Sequence, residues 1–511
     1  MKYATLLAAA AGLASASAVA SSTSAATATP TVALDYCTVV PAQGNSSLGY
    51  YYFQNIRYAA SPTGDLRFAA PEWPPQETGI NSGQYASVDV DCTTQEDCLF
   101  LDVWMPADAL ARNESLPVMV YFFGGGFTNG GKTQSTPEGL FNISTDFIFV
   151  AFNYRLGFTG LANGPTYQHQ GGTSNLAIWD ASHGLEWVRR YIASFGGDPG
   201  RVTAAGFSAG ASQVMFQLTR FAGRAEQLFD QAYIMSPGYI PGAGHYQAES
   251  YWQNVSAAVG CPGGDLSCMR QANWTNLTAT GADIADAYGY NLQPRADGYI
   301  AADTYEAELY QKHFNFSGPL VISHERHEEN SQNTTGIDSA EDVAAELHIY
   351  FPGITDQIVD EILTLYPAWR YPSPGLRLSD IRQSFDMTAH NLALTQALNN
   401  QTWNARVDLD SAVHGTDGLF YWYSTYELLP QSGLGGGVSG YVNVTVAHQM
   451  QKYLLSFVLT GNPNTLWPED KIHWPQYGNE TNTLIFNNTM SITTDDLAND
   501  RSLFWNKALW Y

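Results

Sequence analysis

The sequence predicts an α/β fold: a large, mostly parallel central sheet flanked by helices on both faces. Three observations carry that expectation. Apolar runs bounded by Gly and Pro recur with little polar alternation, as strands buried on both faces require. Segments with helical apolar spacing lie between several of these runs, and strand alternating with helix builds parallel sheets. Between about residue 35 and residue 511 there is no repeat and no long low-complexity linker, so one large domain with insertions is expected.

Taken in order, residues 1–20 read as a targeting segment: Lys2 supplies positive charge, Ala4 to Leu13 an apolar stretch, and Ala18-Val19-Ala20 a small-x-small cleavage site. Residues 21–34, opening SSTSAATATP, read as a flexible mature N-terminus, and residues 35–511 as the single folded domain. Strands are expected at Leu99 to Met105, Pro117 to Phe123 and Phe147 to Phe152, then a helix over Ala177 to Ser194. A short extended Val202 to Ala205 leads through a tight turn to a helix over Ala211 to Phe221. Further strands follow at Ala232 to Met235 and Pro319 to Ile322. From about 339 to 403 the chain is helix-rich, interrupted by Pro367 and Pro372, and reads as an insertion between late strands; Asn404 to Val407 is strand-like beyond it. Gly433 to Gly440 reads as a flexible loop. No run approaches the roughly 20 apolar residues of a membrane span, and Leu509-Trp510-Tyr511 carries no retention signal, so a secreted, extracellular protein is expected.

Charge narrows the partners. The 511 residues hold 23 Lys and Arg against 48 Asp and Glu, a formal net charge of −25 that repels phosphate backbones and anionic headgroups. Nucleic acid is excluded as a natural partner. Charged residues are only 14% of the chain, which leaves a surface of neutral polar groups or attached sugar and suits an uncharged small-molecule substrate. Export makes the Asn-x-Ser/Thr triplets, such as those at Asn254, Asn315 and Asn400, acceptors for N-linked glycans. It also makes the five cysteines disulfide-forming, with one left over. Cys261 and Cys268 flank a segment containing Pro-Gly-Gly-Asp that can turn the chain back, so they are paired; Cys98 pairs with Cys92 or Cys37.

The chemistry concentrates in Gly206-Phe-Ser208-Ala-Gly210, set between the short strand and the helix. Strand, sharp turn and helix place a serine hydroxyl above the sheet edge, and flanking glycines offer φ freedom and the absence of a side chain. On its own the pentapeptide is equally a Gly-Ser turn opening an ordinary helix. A second signal is the strand Pro117 to Phe123 running into Gly124-Gly125-Gly126-Phe127: acyl transfer needs donors aimed at the developing oxyanion, and the N–H groups of Gly125, Gly126 and Ala209 can supply them. A rival overlaps these residues, because Gly126 to Thr133 matches the nucleotide-binding G-x-x-x-x-G-K-T pattern. It fails on context, since Pro137 and Gly139 follow Lys132-Thr133 where a helix should begin.

Together the motifs resemble those of the type-B carboxylesterase and lipase family, the cholinesterase-like α/β-hydrolases, over about residues 45 to 510. The carriers are Asn55-Ile-Arg-Tyr-Ala59, Gly64-Asp-Leu-Arg-Phe68, Glu96 to Trp104, Gly124 to Phe127, Asn153-Tyr-Arg-Leu-Gly157, Phe195-Gly-Gly-Asp-Pro199 and the serine turn. The resemblance implies an α/β-hydrolase fold and a serine nucleophile, acid and histidine in that order. Ser208 is then the nucleophile. The acid falls nine positions beyond Pro319, at Glu328, with Glu329 and Glu325 as alternatives because the family's usual Gly after the acid is Glu329 here. The base is His414, in Ala412-Val-His-Gly-Thr-Asp417; His324 and His327 lie too near the acid to serve. No metal or cofactor is called for.

Departures from the family bear on substrate. In relatives the first disulfide closes a long loop that forms a lid or a choline-binding wall, whereas Cys92 and Cys98 enclose only five residues. Phe207 stands where the family commonly has Glu. The short loop weighs against triglyceride lipase and cholinesterase, and Phe207 further against a cationic substrate, which favours neutral short-chain or aromatic esters; the alternatives are a lipase for longer acyl esters and a non-catalytic adhesion or binding protein.

Overall fold

The computed structural model describes residues 29–83, 89–241, 244–424 and 442–507; the targeting segment and Gly433 to Gly440 lie outside them. An eleven-stranded sheet runs through the molecule. In chain order its strands are β1 (Gln43–Asn45), β2 (Tyr50–Arg57), β3 (Phe100–Pro106), β4 (Leu116–Phe122), β5 (Ile148–Phe152), β6 (Gly197–Phe207), β7 (Gln231–Met235), β8 (Leu320–Glu325), β9 (Trp403–Val407), β10 (Asn482–Phe486) and β11 (Ser491–Thr494). Their spatial order is β11-β10-β9-β8-β7-β6-β4-β5-β3-β2-β1. The run from β10 across to β5 is parallel, and antiparallel strands finish both edges. A separate three-stranded sheet of very short strands lies near the N-terminus.

The continuous apolar runs become the sheet's centre. Every residue of β3, β4, β5, β7 and β8 is buried, the condition under which a strand gains nothing from alternation. At the far edge β11 is exposed at every residue, and its sequence, Ser-Ile-Thr-Thr, is correspondingly polar. The expected sheet and flanking helices are therefore present. The strand β2 is absent from the apolar runs of the sequence, because Gln54, Asn55 and Arg57 interrupt its tyrosines. Tertiary partners take up those groups: the Asn55 side-chain amide donates to Gly83 O at 3.2 Å, and Arg57 Nη1 donates to Asp97 Oδ1 at 2.7 Å.

Helices α1 (Leu176–Tyr191) and α2 (Ala209–Thr219) pack against the sheet; α2 is buried along its whole length. Between β8 and β9 lie α3 (Ala340–Tyr350), α4 (Asp356–Leu365), α5 (Pro374–Arg382) and α6 (Ala389–Ala397), with Pro367 and Pro372 in the break before α5. These helices carry a second core of their own, including Val343, Leu347, Ile362, Leu378, Phe385 and Trp505. Between α5 and α6 the helix widens into a π-helical turn, Gln383–Thr388. No helix among the described residues is long and apolar enough to cross a membrane.

The disulfides are Cys92–Cys98 and Cys261–Cys268, which leaves Cys37 as a buried thiol pushed up to about 12 by burial. Lys132 settles the nucleotide-binding rival. Its ammonium is buried between Asp102, at 2.9 Å, and Asp89, and only a four-residue helix, Glu138–Phe141, follows. It neutralises a buried aspartate and has no freedom to reach a phosphate.

Candidate active site

The site forms at the carboxyl ends of the parallel strands, where side chains leave the sheet into loops. Strand β6 ends at Phe207, and Ser208 adopts φ 57°, ψ −129°, a strained conformation for a residue with a side chain. Helix α2 begins at the next residue. The flanking glycines serve differently from the sequence expectation: neither has positive φ. What they lack room for is a side chain, since a Cβ on Gly206 would overlap the Gly210 carbonyl and one on Gly210 the Phe122 carbonyl. The turn is tight because sheet and helix backbones touch there, and the conformational strain falls on the serine alone.

Adjacent strands β8 and β9 supply the other two groups. Past their ends the chains remain stitched together: Arg326 N–H donates to Val407 O at 3.0 Å, His327 N–H to Ala412 O at 2.8 Å and His414 N–H to Glu328 O at 3.2 Å. This pairing fixes the carboxylate loop against the histidine loop. His414 Nε2 lies 2.8 Å from Ser208 Oγ and its Nδ1 lies 2.6 Å from Glu328 Oε2. Glu328 Oε1 accepts the Glu325 backbone N–H at 2.6 Å. Ser208 is 8% exposed, Glu328 2%, and the His414 side chain 24%, so the acid is sealed while the base remains reachable.

The two alternative acids stand elsewhere. Glu329 pairs with Arg382 at 3.0 Å, and Arg382 also reaches Asp386 at 3.4 Å. Gln383, the first residue of the π turn, accepts the backbone N–H groups of Glu329 and Asn330 and so braces the acid loop. Glu325 is fully buried and accepts the Asp417 backbone N–H at 2.8 Å. His324 faces Asp496 at 3.2 Å and His327 faces Asn330 at 3.1 Å.

Burial works against a charged imidazole at His414, but Glu328 beside it wins and the histidine is held above its ordinary value. Burial pushes Glu329 and Asp417 up to about 7, helped at Glu329 by Asp386 and at Asp417 by Glu328. Phe207 lies over the imidazole, ring centroids 4.9 Å apart and planes 28° from parallel. Nothing in the sequence alone connects residues 207 and 414; only the fold brings them together.

Gly125 has φ 125° and Gly126 φ 61°, conformations that glycine adopts freely. Among the described residues, neither of their N–H groups is spent on a backbone carbonyl outside the helices and strands. A Cβ on Gly124 would come within 2.9 Å of both the Phe207 carbonyl and Ser208 Cβ, so the glycine run lies against the serine turn. The arrangement can pass a proton from a serine hydroxyl to an imidazole backed by a carboxylate.

Known proteins resemble the chain over most of its length. The chain is 27% identical to "Carboxylesterase patB" of Penicillium expansum, covering 94% of this chain and 96% of that one. It is 28% identical to a "Secreted lipase" of Arthroderma benhamiae over 78% of each. Among solved structures, Aspergillus niger EstA superposes with a TM-score of 0.79 at 23% identity, covering 94% of this chain and 98% of EstA, and a PNB esterase with 0.75 at 24%, covering 93% and 99%. The model of the carboxylesterase family matches residues 29–351, more than half of the sequence, and the chain belongs to that family.

Proposed function

We propose that this carboxylic ester hydrolase acts through an acyl-enzyme on Ser208, with His414 as base, Glu328 as the acid behind it, and neutral short-chain or aromatic esters as substrates. The observation that carries the reading is the unbroken line of contacts from Ser208 Oγ through His414 to Glu328 Oε2. Ser208 attacks the ester carbonyl as His414 takes its proton. The oxyanion rests on the N–H groups of Gly125, Gly126 and Ala209, and the alcohol departs with the proton from His414. Water, deprotonated by the same imidazole, then releases the acid. Glu328 orients the ring and stabilises the imidazolium.

The substrate class rests on two features. The Cys92–Cys98 bridge closes a loop too short to form a lid. Phe207 places an aromatic face, rather than a carboxylate, beside the nucleophile and the base. A lipase acting on longer acyl chains is the second reading, favoured by the name of the Arthroderma relative. Secretion is supported by that name and by the targeting segment. N-glycosylation is supported by the triplets, whose Asn254, Asn315 and Asn400 are all at least partly exposed.

The test is labelling with a small organophosphonate and peptide mapping, beside Ser208→Ala and nitrophenyl esters from two to sixteen carbons. Label on Ser208 with turnover confined to short or aromatic esters is expected. Long-chain preference transfers the assignment to lipase; a folded protein with neither label nor turnover is a binding protein on this scaffold.

A further inference from the structure

Behind the triad acid lies a second pair of carboxyl groups that the proposed mechanism does not use. Glu325, the last residue of β8, and Asp417, in the short helix Thr416–Tyr421 that follows His414, are both fully buried. The Asp417 backbone N–H donates to Glu325 Oε1 at 2.8 Å, which brings the Glu325 carboxyl against the residue that carries the second one. Glu325 Oε2 has no hydrogen-bond donor among the described residues, and the Asp417 carboxyl has no well-formed one, the Gly418 backbone N–H being the donor that lies toward it. Neither side chain forms an ion pair with a Lys or Arg among those residues. Nor do the acidic groups converge there in a cluster suited to a metal ion.

Two buried carboxylates cannot face each other with unsatisfied oxygens while both are ionised, because each charge would lie unpaired in a low-dielectric interior. A proton between them removes the conflict, turning one oxygen into a donor and the facing oxygen into its acceptor. The pair also touches the site through the backbone: the Glu325 N–H is the donor that holds Glu328 Oε1. We propose that Glu325 and Asp417 are positioning residues, a carboxyl pair sharing one proton that anchors the loop presenting Glu328 and limits the negative charge behind His414.

The surroundings fit that role. Facing the pair are Glu328 and His414 from the two site loops, with Tyr121, Tyr233 and Tyr421 around Asp417. The Tyr233 and Tyr421 hydroxyls lie 2.8 Å apart and bond each other. On the other side, Glu329, Asp386 and Arg382 form an ion cluster of their own. His414 acts on Asp417 as a group able to carry positive charge, and every further ionisation of the pair favours the imidazolium. Burial first, then the partner carboxylates, push Glu325 well above the usual carboxylate range and Asp417 up to about 7, the direction that retains a proton on the pair.

This inference rests on Ser208, His414 and Glu328 acting as proposed, and its test separates the two. The assay is kcat/KM against pH for a short nitrophenyl ester, using the intact enzyme, Glu325→Gln and the double variant Glu325→Gln/Asp417→Asn. In the wild-type pair the shared proton leaves one negative charge; in Glu325→Gln the new amide donates to Asp417, whose carboxylate stays ionised and carries that same single charge, so the acid limb stays at the wild-type position. In the double variant the charge is gone, the imidazolium loses its support, and the limb moves to lower pH by roughly half a unit or more. Two fully ionised carboxylates would instead lower the limb already in Glu325→Gln. Infrared spectra supply an independent measure: a protonated-carboxyl carbonyl band present in wild type at neutral pH is lost in Glu325→Gln and in Asp417→Asn. Should the double variant fail to fold, the spectrum of Asp417→Asn decides. A limb already lowered in Glu325→Gln, a limb unmoved in the double variant, or an unchanged carbonyl band overturns the pair while phosphonate labelling of Ser208 persists; turnover by Ser208→Ala overturns the serine mechanism itself.

Discussion

Replacing Glu328 by Gln keeps the size of the side chain and removes one acceptor from a carboxylate that has none to spare. Both of its oxygens are in use, one accepting from the Glu325 N–H and one from His414 Nδ1, each at 2.6 Å. Gln has one acceptor oxygen for two donors. With that oxygen toward His414, its amide N–H groups collide with the Glu325 N–H. With the oxygen toward Glu325, they point at Nδ1 and drive the ring to the tautomer protonated on Nε2, which cannot take the Ser208 proton. Either orientation also loses the charge that stabilises the imidazolium. Comparable replacements at catalytic triads cost about 10³- to 10⁴-fold in turnover, equivalent to about 4 to 5.5 kcal/mol. The check is kcat/KM for nitrophenyl acetate, with thermal melting to confirm the fold. A folded Glu328→Gln enzyme within tenfold of wild type would refute the assignment, and it would do so decisively if Glu329→Gln, which faces Arg382, were the more damaged.

Four further outcomes are expected. Activity falls as pH drops: the base must be neutral, and Glu328 holds His414 above its ordinary value, so the acid limb of kcat/KM should lie above pH 6.5, as a pH–rate profile will show. Phe207→Leu removes the ring over the imidazole and should lower kcat/KM by about two- to tenfold, the equivalent of roughly 0.5 to 1.5 kcal/mol, with little change in melting temperature; Phe207→Glu should move the acid limb to higher pH. Lys132→Met strands Asp102 in the core and should cost about 3 to 5 kcal/mol, read from the denaturant midpoint, without altering the ester preference of the protein that remains folded. Gly210→Ala forces a methyl group onto the Phe122 carbonyl and should lose stability and activity together, whereas Gly157→Ala, in open space but at φ 58°, should cost only about 1 kcal/mol in the same unfolding assay.

How much could be read ahead of the structure depends on where each signal resides. The buried strands were legible because a strand covered on both faces needs no polar alternation, and β4 and β5 are runs of buried residues. The serine turn was legible because its chemistry is local. The strand β2 was not, since its polar side chains are satisfied at a distance, Asn55 by Gly83, 28 residues on, and Arg57 by Asp97, 40 residues on. The site divides along the same line. Ser208, Glu328 and His414 follow from motif and order, with Glu329 and Glu325 left as alternatives to Glu328 because all three in the cluster are acidic. Backbone bonds between the loops after β8 and β9 make that choice by presenting Glu328 to the ring. Phe207 over His414, and Glu325 against Asp417, are contacts across long stretches of chain and leave no local trace. The purpose of Gly206 and Gly210 was half legible: glycine was required, but for close approach between backbones rather than for φ.

The strain at Ser208 gives the fold an evolutionary bias. A side chain held at φ 57°, ψ −129° costs the native state about 1 to 3 kcal/mol that the surrounding packing must offset. That cost is borne in every molecule at all times, whether or not substrate is present. Glycine at 208 would relieve it in a single step while abolishing the hydroxyl. A lineage released from selection for turnover is therefore pushed toward losing its nucleophile by the stability this returns, and its sheet, glycine run and disulfides can persist unchanged.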